Sequence, residues 1–139
     1  MTGPAPGLVA EVTHLVGEDD TATAMGSGDV PVLATPRLLA LAEAATVAAV
    51  AGTVSSERTS VGTRVELEHL AASPVGVRVS VRAELVGVDG RLLRFEIVAT
   101  YIGMQALVIN YRNHRGQLVN EVLIFDGELV REGHGTYLD

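Results

Sequence analysis

A chain of 139 residues has the length of one domain, and 47% hydrophobic residues with a mean hydropathy of +0.31 can fill a substantial core. A net charge of −7, a pI near 5.0 and the lack of any Lys/Arg run exclude a phosphate-tracking nucleic-acid surface. With no cysteine there is no disulfide, no thiolate nucleophile and no cysteine-ligated metal. Charged residues make up 19%, below the roughly 25% of ordinary domains, so part of the surface is expected to be covered by a second copy, most simply in a homodimer. The lead-in Met1-Thr2-Gly3-Pro4-Ala5-Pro6-Gly7 has neither the charge nor the apolar run of a signal peptide, and a cytoplasmic protein is expected.

Residues 1–7 read as a loose N-terminus. Leu8 to Val16 alternates imperfectly and predicts a strand, ended by Gly17-Glu18-Asp19-Asp20. Thr21 to Pro31 is small, polar and aperiodic, a loop of the kind that forms lids. It runs into Val32 to Gly52, the dominant element: a helix over about 35–51, with Thr35 as N-cap, Pro36 in the first turn and Gly52 as stop. This helix is apolar on nearly every side, which predicts burial all round. Arg37 and Glu43 argue against a membrane span for it. Val61 to Leu70 alternates cleanly and predicts a strand carrying His69, followed by a turn at Ser73-Pro74-Val75-Gly76. Val77 to Val88, with Val77, Val79, Val81, Ala83 and Leu85 facing in, and Arg91 to Tyr101 form a hairpin about Asp89-Gly90. For 102–124 a hairpin about Asn113-His114-Arg115-Gly116 competes with a helical segment, and Glu128 to Tyr137 reads as a last strand after Asp126-Gly127. One long helix and a run of antiparallel strands make the chain α+β. A helix apolar on every side suits a hot-dog fold, in which a curved sheet wraps a central helix.

Glu43 stands mid-helix. Desolvating a lone carboxylate costs several kcal/mol unless it is paired or protonated. It either snorkels or pairs with an arginine such as Arg64 or Arg82, or it serves as a general base or nucleophile. Thr35 is a cap or a hydroxyl that holds water or a carbonyl. On one continuous helix eight residues span roughly 12 Å, so Thr35 and Glu43 do not touch: either the helix starts later, or one of them serves a partner subunit's site. His69 is a satisfied histidine or a proton carrier. His14, His114 and His134 lack metal-ligand spacing, so no metal site is expected. Gly26-Ser27-Gly28 has no strand before it and no lysine after it to make a phosphate loop.

These segments resemble the fluoroacetyl-CoA thioesterase-like group of hot-dog thioesterases. The match runs through Val32-Leu33-Ala34-Thr35-Pro36, Leu41-Ala42-Glu43-Ala44, Gly62 to His69, Pro74-Val75-Gly76, the strand Val77 to Leu85 and Asp89-Gly90-Arg91. It covers about residues 8–99 and resumes at 125–137. The family's Thr, Glu and His fall on Thr35, Glu43 and His69. The resemblance implies hydrolysis of a small or short-chain acyl-CoA to free acid and CoA. Glu43 would activate water or attack the thioester, His69 would move protons, and Thr35 would position the water or carboxylate. Gly62 would let the backbone approach the acyl group. It also implies a homodimer and no cofactor beyond the CoA of the substrate.

Three departures stand out. The loop Thr21 to Pro31 has none of the family's gating aromatics, which implies a different or broader acyl group. The family goes from the Arg91–Ala99 strand by a short turn to its last strand, so 100–124 is an extra segment that either rebuilds the sheet or inserts at its rim. The arginine that the family supplies beyond that strand has no counterpart located here. The alternative function is a non-catalytic hot-dog binding or assembly module. A hydratase-type enzyme is weaker, for want of an Asp–His pair of that kind.

Overall fold

The computed structural model describes residues 3–103, 106–112, 115, 117–126 and 129–138, and for the strands beyond 103 it describes the backbone. In chain order come β1 (Val9–Leu15), a 3-10 turn (Glu18–Asp20), the one-turn α1 (Ala22–Met25), the long α2 (Thr35–Val50), then β2 (Arg78–Asp89), β3 (Leu92–Ile102), β4 (Ala106–Arg112), β5 (Leu118–Asp126) and β6 (Leu129–Leu138). All six strands are antiparallel and lie in the sheet in sequence order. Among the described residues of 102–124, β4 and β5 are strand and none is helix. Among the described residues no helix is long and apolar enough to cross a membrane.

The strict alternation of β2 explains its place. Val79, Val81, Ala83 and Leu85 are wholly buried on one face, while Arg78 and Arg82 lie on the other. The Asp89-Gly90 turn closes the hairpin to β3, with Gly90 at φ +58° where other residues are strained. Helix α2 packs across β1 and β2. Leu38, Leu41, Ala42 and Ala45 join Val16, Val79, Val81, Ala83 and Tyr101 in one core cluster. The small residues at 42 and 45 let the helix sit close to the sheet, and each buried leucine contributes about 1.5–3 kcal/mol.

The start of α2 is held by a polar clasp. The Asp20 carboxylate accepts from Gly17 N at 2.7 Å, His14 Nε2 at 2.8 Å and Arg37 Nε at 2.8 Å. Ala34 N donates to Asp20 O, and Leu33 N to Ser73 O. One buried side chain thus ties β1, the 3-10 turn and the first turn of the helix together. Arg37 is unfavourable beside the positive end of the helix dipole, and Asp20 compensates it.

Several expectations fail, each for a physical reason. Thr35 is not the N-cap: Ala34 holds that position, Thr35 is the first helical residue, and its hydroxyl is free to bond elsewhere. Helix α2 is not buried all round within one chain. Its core side is Leu38, Leu41, Ala42, Ala45, Ala49 and Val50, whereas Ala40, Glu43, Ala44, Val47 and Ala48 are exposed. The predicted strand Val61–Leu70 makes no ladder. It is an irregular, largely exposed stretch with Val61 at 77% exposure. Alternation specifies two faces but not an edge to pair with, and among the described residues this segment has none.

The extra segment rebuilds the sheet. β3 meets β4 only through Thr100↔Ile109, Tyr101↔Val108 and Ile102↔Leu107. Beyond that junction β4, β5 and β6 form a meander of their own, which puts the last strand at the outer edge of the sheet. Among the described residues the β3 edge from Leu92 to Ala99 on that side has no strand partner. The turn expected about Asn113, His114 and Gly116 lies outside the described residues, apart from Arg115, as do Met104, Gln105, Gly127 and Glu128.

Candidate active site

The expected site residues form two pairs. Thr35, displaced from the cap to the first helical position, shares a hydrogen bond of 2.9 Å between its Oγ1 and His69 Nδ1. They are 34 residues apart, so this contact ties the irregular 61–70 segment back to the helix start. The second pair is Glu43 and Gly62. A Cβ built on Gly62 would lie 2.7 Å from Glu43 Oε2, so the glycine leaves the room that the carboxylate occupies.

Glu43 does not pair with an arginine among the described residues. Arg64 bonds Glu66, and Arg82 bonds Glu84. Nor does its carboxylate hydrogen-bond Thr35 or His69. The helix runs unbroken from Thr35 to Val50, so the two pairs are separated by two turns, roughly 12 Å of rise. Of the two possibilities raised by the eight-residue gap, a later helix start is therefore removed. Glu43 is also on the exposed side of α2, not in a desolvated core.

His69 has the more unusual surroundings. Burial pushes its pKa below the ordinary 6.5, against a smaller opposing effect from the Ala71 backbone. At neutral pH the ring is therefore uncharged, the form that can accept a proton. Its Nε2 is buried without a hydrogen-bond partner among the described residues. One face of the ring stacks on Tyr101, centroids 6.4 Å apart and planes within 11°. Tyr101 is buried, and burial pushes its phenol up to about 12, so it stays protonated. Sequence reasoning missed Tyr101, which reads there only as the end of a strand. Its inward parity, shared with Ala99 and Phe95, was the available signal. The Asp20 clasp was missed as well: Asp20 reads as part of a strand-ending run, and nothing local links it to His14 or Arg37. It is a carboxylate–histidine contact, but Gly17 and Arg37 also engage that carboxylate.

Among the described residues no three His, Asp or Glu side chains converge as metal ligands.

Residues 16–110, well over half of the chain, match the sequence model of the family described as fluoroacetyl-CoA-specific thioesterase, FlK. The chain belongs to that family. Among solved structures it is similar to a phenylalanine-to-alanine mutant of the fluoroacetyl-CoA-specific thioesterase FlK, with 25% identity, 99% of this chain and 87% of that chain covered, and a TM-score of 0.60. It is also similar to a threonine-to-alanine mutant of FlK in complex with fluoroacetate, with 22% identity, 95% and 85% coverage, and a TM-score of 0.59. A threonine-to-serine mutant of FlK in complex with acetyl-CoA gives 22% identity, 95% and 85% coverage, and a TM-score of 0.58. Among curated proteins none matches the chain significantly. The α+β architecture is thus that of the hot-dog fold, and family membership places the chain among thioester hydrolases.

Proposed function

We propose that the protein hydrolyses a small or short-chain acyl-CoA to the free acid and CoA, with Glu43, His69 and Thr35 as its catalytic groups. The observation that carries this reading is the Thr35–His69 hydrogen bond, made by two of the three expected residues across 34 positions of chain. The Glu43 carboxylate, lying over a glycine rather than in an ion pair, supports the third. Solved FlK structures with acetyl-CoA, and with fluoroacetate and CoA, support the substrate class.

In the proposed reaction Glu43 takes a proton from water as the water attacks the thioester carbonyl. Attack by the carboxylate itself, giving an anhydride that water then opens, uses the same group. The tetrahedral intermediate collapses with cleavage of the C–S bond. With Nδ1–H donating to Thr35, neutral His69 offers the lone pair of Nε2: it accepts the proton that Glu43 took from water and, as imidazolium, gives it to the departing CoA thiolate, so that both groups return to their starting state. Every proton moves between side chains, water and substrate, so the proposed cycle calls for no cofactor. With no aromatic between Thr21 and Pro31, the acyl group accepted is different from fluoroacetyl or the range of acyl groups is broader.

The two pairs lie two turns apart, so a homodimer is part of the proposal: Glu43 of one protomer acts with Thr35 and His69 of the other. Thiol release from a panel of short-chain acyl-CoAs tests the reading. Wild type is expected to turn over at least one of them, and Glu43→Ala to lose about 100-fold or more. An inert wild type would favour the binding-module alternative, and a fully active Glu43→Ala would remove Glu43 from the site.

A further inference from the structure

His69 is a catalytic group on a segment that no ladder holds. Residues 61–70 lie outside any helix or strand, so the backbone alone does not fix the ring. The hydrogen bond at Nδ1 to Thr35 and the Ala71 backbone hold the edge of the imidazole but still leave its plane free to tilt. Productive proton transfer needs the ring held to within about 0.5 Å and 10–20°. Something else must remove that freedom.

Tyr101 is built to do so. It lies in β3, paired to Val79 of β2 on one side and to Val108 of β4 on the other. It is 3% exposed and belongs to the core cluster with Leu38, Leu41 and Ala42. Its ring is parallel to that of His69 within 11°, at a separation normal for displaced stacking. We propose that Tyr101 is a positioning residue for His69: its ring is the fixed plane against which the imidazole lies, so that Nδ1 meets Thr35 and Nε2 points in one direction. This rests on the reading of His69 as the proton-transfer group.

Nε2 gives a second, independent observation. A buried ring nitrogen without a partner costs about 1–3 kcal/mol, and here it has none among the described residues. A ring free to turn would relieve that cost by reaching water. Packing against Tyr101 holds the nitrogen unpaired and therefore open to a substrate atom. The face of the tyrosine matters in this arrangement, and its hydroxyl does not.

The test compares Tyr101→Phe with Tyr101→Leu in the intact protein. It combines kinetics with NMR of the isotope-labelled histidine rings, the His69 signal being assigned by its loss in His69→Gln. Tyr101→Phe is expected to keep kcat within about twofold and to leave the His69 titration unchanged. Tyr101→Leu is expected to lower kcat about tenfold with KM within twofold, and to move the His69 titration up toward 6.5 as water reaches the ring. A folded Tyr101→Leu with wild-type kcat and wild-type His69 titration overturns the proposal. Nuclear Overhauser contacts between the two rings in the wild type give a variant-free check: they are expected, and their absence also overturns it. If His69→Gln turns over like wild type, the catalytic reading fails, while the ring contacts and titration still decide the positioning.

Discussion

At Gly62 and Glu43 one hydrogen atom in place of a methyl group decides whether a carboxylate can lie where it does. A Cβ on Gly62 would stand 2.7 Å from Glu43 Oε2, closer than real Cβ contacts come. Gly62→Ala is therefore expected to displace the carboxylate rather than unfold the chain, because the obstructed atom is the end of a flexible side chain. The expected result is a loss of kcat of about 10- to 100-fold with a nearly unchanged melting temperature, read by thiol release and calorimetry. His69 sets the pH dependence. Its pKa is lowered from 6.5, mainly by burial, so the free-enzyme limb of a kcat/KM profile should fall below 6.5 and disappear in His69→Gln. The linkage has a definite sign. The folded state disfavours the charged ring, so stability from this group is complete above 6.5 and declines as the pH drops below it.

Asp20 shows the same logic one level up, where a side chain joins elements. Burial alone would raise its pKa, but the Gly17 N–H, His14 and Arg37 together outweigh it and hold the carboxyl at about 2. The stability it contributes is complete above its unfolded value of 3.8 and is lost only as the pH falls through about 2. Asp20→Asn is expected to cost on the order of 2 to 3 kcal/mol in chemical denaturation at neutral pH, and to loosen the first turn of α2. Because that turn carries Thr35, turnover should fall with stability. The elements that sequence made legible are those whose pattern meets its partner inside one chain. Val77 to Val88 alternates strictly, shares a Gly90 turn with Arg91 to Tyr101 and pairs with it as expected. The Val61–Leu70 segment alternates as well and pairs with no strand among the described residues. Helix α2 was expected to be wet nowhere, yet it exposes Val47 at 52%. Thr35 and His69 were legible as candidates, but their hydrogen bond was not, since it depends on Ala34 taking the cap. Tyr101 was hidden because a strand-end tyrosine carries no mark of what it stacks on.

For the whole molecule these misplaced expectations converge. Val47 on α2, and Val61, Val65 and Leu67 in the irregular stretch, are all exposed in one chain. They flank Glu43 and Gly62 in sequence. A second copy seated there would dry this surface and bring its own Thr35–His69 pair toward Glu43, which makes no hydrogen bond to the pair of its own chain. Light scattering is expected to give a dimer, and Val47→Lys with Val61→Lys to give monomers. Complementation separates a shared site from a self-contained one. When Glu43→Ala and His69→Ala chains are mixed, a shared site leaves one of the two centres in each heterodimer with both groups intact, because the two lesions fall together in the other. Activity should then reappear at about a quarter of the wild-type level, since half of the dimers are mixed and half of their centres are whole. A self-contained site leaves every centre lacking one group, and the mixture stays as inactive as its components. Inactive mixtures in which mass spectrometry detects the heterodimer would place Glu43 and His69 in the same protomer's site, with water and substrate spanning the two turns of α2 between Thr35 and Glu43.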